Sequence, residues 1–250
     1  MTAAVPNLDM TSAAPHLNMT EAAPALDLSG APEDLAELTS NLSLDDTLDP
    51  FHPNTHAKLL SSLKIPVTSM HGYVSFEGRL PQVRVKSMLT LGEDVFYVSE
   101  CKGEGGFAKV YAATRQDNDM DCTISGIDAV LKVQKPANDW EWYMCKEVHR
   151  RLNKYILPSF MDIPRNYAFA DGGIFVSYHQ KLGTLLDIIN ITKQCNVQKS
   201  CIEPMAIYFT LEILDMIEAL HGAGIIHADI KADNFLLQVT KWDPLLFLKF

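Results

Sequence analysis

One short segment limits the possible folds of this chain more than any other. It carries His227, Asp229, Lys231 and Asn234 in the order His-x-Asp-x-Lys-x-x-Asn. A carboxylate such as Asp229 can accept the proton of a hydroxyl group, and the amide of Asn234 can hold a Mg²⁺ ion whose charge offsets that of phosphates. Lys231 could neutralise a phosphoryl group during its transfer. The spacing predicts a phosphoryl-transfer loop, and the alternative is a helix end, a strand and a turn that happen to share these residues.

A glycine-rich segment lies upstream, at residues 103–110 (GEGGFAKV), with Ala108 in the place of a third glycine. Glycine lets backbone amides approach an anion closely. Such a pattern also opens the helix of dinucleotide-binding folds. Here residues 110–114 are β-branched, aromatic or small and predict a strand. A hairpin over phosphates is therefore favoured over a strand-to-helix turn.

An apolar segment at residues 128–133 predicts a strand that carries one lysine, Lys132. A lysine beside phosphates needs a carboxylate to hold its geometry. Two glutamates follow at suitable spacing, Glu141 and Glu147. Glu147 lies among basic residues on what is predicted to be a solvated face, whereas Glu141 lies between two tryptophans that would shield an ion pair. The spacing alone allows either partner.

In this order, the three elements resemble the glycine loop, strand lysine and catalytic loop of eukaryotic protein kinases. A lysine two residues after the catalytic aspartate is typical of serine/threonine specificity in the kinases that the loop resembles. Four segments further resemble the budding-uninhibited-by-benzimidazole (Bub) mitotic checkpoint serine/threonine kinases, and they span about residues 58–237. They are residues 58–67, 131–143 (LKVQKPANDWEWY), 183–186 (GTLL) and 225–235 (IIHADIKADNF).

The resemblance implies an α+β, protein-kinase-like two-lobe fold that is truncated in the large lobe. The composition of the N-terminal stretch predicts a disordered tail before it. It implies ATP and Mg²⁺ as cofactors and transfer of the γ-phosphate to a protein serine or threonine. In this family the glutamate after the tryptophan pairs with the strand lysine, which favours Glu141. Asp229 and Lys231 are then catalytic and Asn234 is a metal ligand. The residues expected to bind ATP are Lys102, Gly103, Gly105, Gly106, Phe107, Ala108, Val110, Lys132 and Glu141.

The resemblance also implies a setting in the cell, the mitotic spindle checkpoint. We expect the nucleus and kinetochore as the location, and the cytoplasm outside mitosis. Checkpoint and kinetochore proteins are the expected partners, and a histone tail is a candidate protein substrate. No direct contact with nucleic acid or a membrane is expected.

Ala228 departs from the common kinase pattern, in which an arginine at this position docks a phosphorylated activation loop. The checkpoint kinases also lack that arginine, so activation by loop phosphorylation is not expected here. The family includes a pseudokinase branch with eroded glycine and catalytic loops. The chain keeps all the main residues of both loops, which favours the active branch.

Three regions are predicted. Residues 1–50 form a disordered, acidic tail rich in Pro and Ala, residues 51–94 an extension that packs on the kinase lobe, and residues 95–250 an incomplete kinase domain. Apolar residues at helical spacing predict an amphipathic helix over residues 203–220. Residues 245–250 predict a buried strand, which in a kinase leads to a second metal-binding aspartate, and we expect the chain to stop before it. The alternative function is therefore a non-catalytic, truncated kinase-like interaction protein.

Charge and cysteine content restrict the possible partners and cell compartments of the protein. The first fifty residues hold nine acidic groups and no lysine or arginine, so they supply nearly all of the formal net charge of −10. The remainder is close to neutral, which argues against a basic surface for nucleic acid. Five cysteines without a Cys-x-x-Cys pair suit reduced thiols in the cytosol or nucleus. No signal peptide and no apolar span of membrane length are found.

Overall fold

The computed structural model describes residues 49, 52–116, 126–239 and 246–250. Nearly all of the predicted acidic tail lies outside these residues, as do residues 117–125. All described residues belong to one compact unit of the chain, Ala31–Phe250.

A mixed sheet of seven strands forms the first part of the described structure. Its order is β1-β6-β7-β5-β4-β3-β2, and all neighbouring strands are antiparallel except β1 and β6. The strands are β1 Tyr73–Ser75, β2 Ser87–Leu91, β3 Asp94–Glu104, β4 Ala108–Gln116, β5 Ile127–Gln134, β6 Arg165–Phe169 and β7 Gly172–Tyr178. A separate hairpin pairs β8 Leu236–Val239 with β9 Leu246–Lys249. The strand predicted near the end of the chain is thus confirmed.

Four α-helices are described: α1 Pro53–Ser61, α2 Asp139–Arg151, α3 Leu185–Gln194 and α4 Lys199–Gly222. Short 3₁₀ turns cover Val67–Ser69, Leu157–Ser159 and Ala232–Asn234. Helix α2 begins where the Asn138 side chain accepts a hydrogen bond from the backbone N–H of Glu141 at 3.1 Å. A capping box between Thr184 and Asp187 starts α3. Among the described residues, no helix is both long and apolar enough to cross a bilayer.

Apolar side chains form three buried clusters. The first covers one face of the sheet and includes Phe96, Leu131 and Ile174, with Leu80 and Val83 packed on it. The second surrounds Trp142 of α2 and receives residues of α1 and of the segment that follows it. The third holds the large lobe together, from Leu152 through Phe209 and Met216 to Leu248. This α+β, two-lobe architecture is the one predicted from the sequence.

The segment before β3 is tied closely to the sheet. Strand β1 pairs in parallel with β6, and Phe76 stacks on Phe169 with ring centroids 4.9 Å apart. Gly72 has a φ of +93°, and a Cβ at this position would lie 2.2 Å from the carbonyl oxygen of Pro164. The chain can therefore approach β6 this closely only with glycine at position 72.

Helix α4 extends beyond the predicted 203–220 at both ends, since it runs from Lys199 to Gly222, and it includes Pro204 within its first two turns. It buries Phe209, Met216 and Leu220. The other apolar residues of the predicted stripe behave differently, because Ile207, Leu211 and Leu214 are each more than half exposed. One apolar face of the helix is therefore open to solvent in the described structure.

Candidate active site

Lys132 and Glu141 form an ion pair at the centre of the small lobe. The register of the sheet sets Lys132 beside Val110 of β4 and Phe175 of β7. Its Nζ lies 2.6 Å from Oε1 of Glu141, and the two side chains are 38% and 32% exposed. The pair is therefore shielded on the sheet side and still open to a ligand.

The second oxygen of Glu141 is also held. Gln134, which is buried, donates through Nε2 to Glu141 Oε2 at 2.7 Å, and Asn138 Nδ2 lies 3.4 Å from the same oxygen. Asn138 also caps the helix, so one residue fixes both the backbone and the carboxylate of Glu141. Gln134 and Asn138 were not predicted as site residues, and the one local signal is that asparagine is a favoured residue at the N-cap of a helix.

In the structure, Glu147 is not the partner of Lys132. The prediction that it lies on a solvated face is wrong: it is only 7% exposed. Arg150 and Arg151 both donate to its carboxylate, at distances of 2.8–2.9 Å. Arg151 also donates to the carbonyl of Ala223, which lies near the end of α4. The burial of Glu147 raises its pKa, but the arginine hydrogen bonds outweigh burial and hold that pKa below its usual range. Arg151, which Glu147 holds, thus connects α2 to the end of α4.

The glycine-rich segment forms the tip of the β3–β4 hairpin, with the N–H of Gly105 bonded to the carbonyl of Ala108 at 2.8 Å. None of its three glycines has a positive φ. A Cβ at Gly103 or Gly106 would have no atom within 4 Å, and one at Gly105 would meet only the Ala108 carbonyl at 3.7 Å. Neither backbone conformation nor packing therefore requires glycine here, and the open space fits the phosphate group that the motif predicts.

The other predicted ATP contacts on this hairpin divide into two groups. Val110 pairs with Gly103 across the hairpin and lies opposite Lys132 on β5. Phe107 is 82% exposed at the tip. Lys102, in contrast, forms an exposed ion pair with Glu100, with 2.6 Å between Nζ and Oε1. The structure thus brings Val110 and Lys132 together, while Lys102 is engaged elsewhere.

The loop after α4 brings Asp229, Lys231 and Asn234 together. Asn234 Nδ2 donates to the backbone oxygen of Asp229 at 2.7 Å and to its Oδ2 at 3.1 Å. Lys231 Nζ lies 3.1 Å from the same Oδ2. Hydrogen bonds from Asn234 and Lys231 lower the pKa of Asp229, and the bond to Asp229 raises the pKa of Lys231. The carboxylate and the ammonium are both charged at neutral pH.

The backbone of this loop is anchored by aromatic packing. Phe250 stacks on Phe235 at a centroid distance of 4.4 Å and lies 4.1 Å from the ring of His227. Burial lowers the pKa of His227, and its Nδ1 lies 3.3 Å from the backbone N–H of Asp229. Ala228 adopts a φ of +62°. The last residues of the described chain thus position the loop.

A hairpin of phosphate-compatible glycines, a strand lysine paired with a helix glutamate and a His-x-Asp-x-Lys-x-x-Asn loop together define a protein kinase domain. Here the small lobe and the beginning of the large lobe are described. No protein-family model matches the chain. Several individual proteins do match the chain, and their names identify the kinase family.

The mouse (Mus musculus) mitotic checkpoint serine/threonine-protein kinase BUB1 is 35% identical over 189 residues. The Arabidopsis thaliana protein of the same name is 32% identical, and the Saccharomyces cerevisiae spindle assembly checkpoint serine/threonine-protein kinase BUB1 is 30% identical. Each alignment covers 76% of this chain, which spans 18%, 37% and 17% of those relatives. A crystal structure of a BubR1 kinase domain superposes with a TM-score of 0.70 and 27% identity, over 81% of this chain and 60% of that one. The chain belongs to the Bub kinase family and carries part of its kinase domain.

Proposed function

We propose that the chain binds ATP together with Mg²⁺ and acts as a serine/threonine protein kinase of the mitotic spindle checkpoint. The observation that carries the proposal is the ion pair between Lys132 and Glu141, at 2.6 Å. Its geometry is set by Gln134 and Asn138 without any ligand. An ion pair of this kind must be in place for a protein kinase to be active.

The small lobe would bind the triphosphate. Lys132 offers an ammonium group, and Gly103, Gly105 and Gly106 leave room for backbone amides to approach phosphate oxygens. Glu141 would keep Lys132 extended toward the cleft. The bound nucleotide and metal would supply the phosphoryl group and the charge that offsets its oxygens.

The catalytic loop would act on the acceptor. Asp229 is ionised and exposed, so it can orient a serine or threonine hydroxyl and take its proton. Lys231 is protonated and can stabilise negative charge that develops beside Asp229. Asn234 uses its amide nitrogen to hold Asp229, which leaves its side-chain oxygen available for a metal ion.

We extend the proposal to the cellular role because the chain belongs to this family. Checkpoint and kinetochore proteins would be its partners, a histone tail a candidate substrate, and the kinetochore in the nucleus its site of action, with the cytoplasm outside mitosis. The names of the mouse, plant and yeast relatives support the spindle checkpoint assignment.

Calorimetric titration of the 250-residue chain with Mg·ATP tests the nucleotide site. Lys132→Met should weaken binding about tenfold or more, since a hydrogen bond to a charged group contributes about 1.5–3 kcal/mol. Lys135→Met is the matched control, because Lys135 lies just beyond the same strand and pairs with Asp171 at 3.0 Å. Equal affinities for all three proteins would contradict the proposed site.

Transfer of radiolabelled phosphate from ATP to purified histones tests catalysis. We expect incorporation by the unaltered chain and its loss in Asp229→Asn, with Mg·ATP binding kept in that variant. Binding of Mg·ATP without any transfer would contradict the kinase activity of this chain and favour the non-catalytic, truncated kinase-like protein.

A further inference from the structure

Three side chains with metal-binding groups converge at the C-terminal half of α2, beyond the turn that carries Glu141. Cys145 and His149 are four residues apart on the helix, so they lie on the same face. Asp162 lies in the segment that leads from the 3₁₀ turn at Leu157–Ser159 into β6. One ligand atom from each of the three residues lies within 4.8 Å of the others, and all three side chains are half-buried.

The three groups form a ligand set that suits zinc. A thiolate, an imidazole and a carboxylate are the side chains that bind Zn²⁺, and three protein ligands leave a fourth position for water. His149 Nε2 lies 2.9 Å from the carbonyl oxygen of Met161. A backbone carbonyl on one ring nitrogen is typical of metal-bound histidines, because it orients the ring and leaves the lone pair of the other nitrogen free.

The charges around the cluster also allow a divalent cation. A thiolate and a carboxylate would balance the two positive charges of the ion. Lys146 Nζ lies 3.6 Å from Asp162, but it also donates to the Ile163 carbonyl at 2.7 Å and lies 4.3 Å from the centroid of the Trp142 ring. Asp162 can therefore turn toward a metal without leaving Lys146 unpaired.

A second ammonium group lies near Asp162 as well. Burial lowers the pKa of Lys249, while the charge of Asp162 acts in the opposite direction. Lys249 donates to the Pro158 carbonyl at 3.1 Å. Because both lysines repel a cation, we expect weaker binding than at a closed site of four protein ligands.

We propose that Cys145, His149 and Asp162 bind one Zn²⁺ ion, which joins α2 to the segment before β6. Glu141 lies one turn before Cys145 on the same helix. A metal at this site would therefore restrain the helix that presents the partner of Lys132, independently of nucleotide. Burial raises the pKa of the Cys145 thiol to about 11, and formation of the sulfur–metal bond would release its proton to solvent.

The positions of these atoms also have an explanation that needs no metal ion. Cys145 Sγ lies 3.4 Å from the Met161 carbonyl, which also faces His149. Hydrogen bonds alone could therefore account for the cluster. The two explanations differ in whether a cation is taken up.

Titration of the metal-free, 250-residue chain with Co²⁺ in a reducing buffer tests the proposal, because cobalt bound to thiolate gives an absorption band that water-bound cobalt lacks. We expect one Co²⁺ per chain, displaced by one Zn²⁺. Cys145→Ser should remove the band. Cys195→Ser is the matched control, since Cys195 is an exposed thiol elsewhere. No band, or a band that persists in Cys145→Ser, would overturn the proposal.

Two further variants keep the test decisive if Cys145→Ser does not fold. His149→Gln and Asp162→Asn retain side-chain volume, and each should weaken Co²⁺ binding at least about tenfold, the lower limit for loss of even an outer partner of a metal ligand. Unchanged affinity in both would contradict the site. The titration contains no nucleotide, so its result stands apart from that of the ATP experiments.

Discussion

The ion pair of the small lobe and the catalytic loop of the large lobe are positioned in different ways. Lys132 and Glu141 come from a strand and a helix, and the buried Trp142 and Gln134 hold those two elements against each other. Asp229, Lys231 and Asn234 lie within six residues of one another and bond mainly to each other on the surface. The pair thus depends on packing across the lobe, whereas the loop depends on local bonds with aromatic support beneath it.

The two halves of the site are therefore vulnerable to different changes. A change far from Lys132 can separate the ion pair by moving α2. The catalytic loop should tolerate distant changes, yet respond to the loss of one neighbouring side chain. Four variants test these expectations, and they follow in order of decreasing loss of stability.

Trp142→Ala should have the largest effect. Its side chain is fully buried and packs against Phe175 and Tyr73. Truncation of a buried tryptophan costs about 3–5 kcal/mol of unfolding free energy, and α2 should loosen with it. Urea denaturation measures the loss. Trp140→Ala is the control, since Trp140 is only partly buried and stacks on His56. An equal loss in the two variants would contradict the role of Trp142 in holding α2 on the sheet.

Glu147→Gln should cause the second-largest loss of stability. Removing one member of a buried ion pair costs about 3 kcal/mol, because Arg151 keeps its charge in a buried position. The pKa of Glu147 is lowered by folding, so its contribution is complete above about pH 4.3, the usual glutamate value, and declines as pH falls through the lowered pKa.

Denaturation of both proteins at several pH values tests whether the contribution of Glu147 declines as pH falls. The unaltered chain should lose more stability than Glu147→Gln between neutral and acidic pH. The difference between the two proteins should therefore shrink with falling pH. A constant difference would mean that the arginine pairs do not hold in solution.

Gly72→Ala should destabilise the protein by about 2 kcal/mol, because alanine at a φ of +93° is strained and its Cβ meets the Pro164 carbonyl. Gly78→Ala is the matched control, since a Cβ there has no atom within 4 Å. Thermal unfolding compares the two. Similar melting temperatures would indicate that the segment before β3 does not pack on the sheet as described.

Asn234→Ala should have the smallest effect on stability, about 0.5 kcal/mol or less, because its bonds lie at the surface. Its effect on Asp229 should be clear, since loss of the amide donor lets the pKa of that carboxyl rise toward the usual range. Titration of the Asp229 carboxyl by NMR measures this. An unchanged pKa would contradict the hydrogen bond between the two residues.

The sequence predicts the fold class and the local motifs well because their information lies in short segments. The hairpin, the strand of Lys132 and the final strand each follow from local patterns. The role of individual residues in the ion pair and the catalytic loop stays a prediction until the variants are measured.

Features that depend on distant contacts were not predicted from the sequence. Glu147 looks solvated from its basic neighbours, but Arg151 connects it to Ala223, 72 residues away. In the sequence, the cluster at Cys145 is visible only in part, as a cysteine and a histidine at helical spacing. Asp162 joins them because of a turn that residue patterns do not specify.

The order of strands in the small lobe has a consequence for self-association. The two outermost strands, β1 and β2, both come from residues 73–91, and strands β3 to β7 all lie between them. An unpaired edge can recruit another chain, and a very short outer strand such as the three-residue β1 limits this. A shorter piece that begins at β3 would expose β3 and β6 as new edges. Residues 73–91 therefore cover the outer edges of β3 and β6 and, on the β1 side, leave only a three-residue edge for pairing with another sheet.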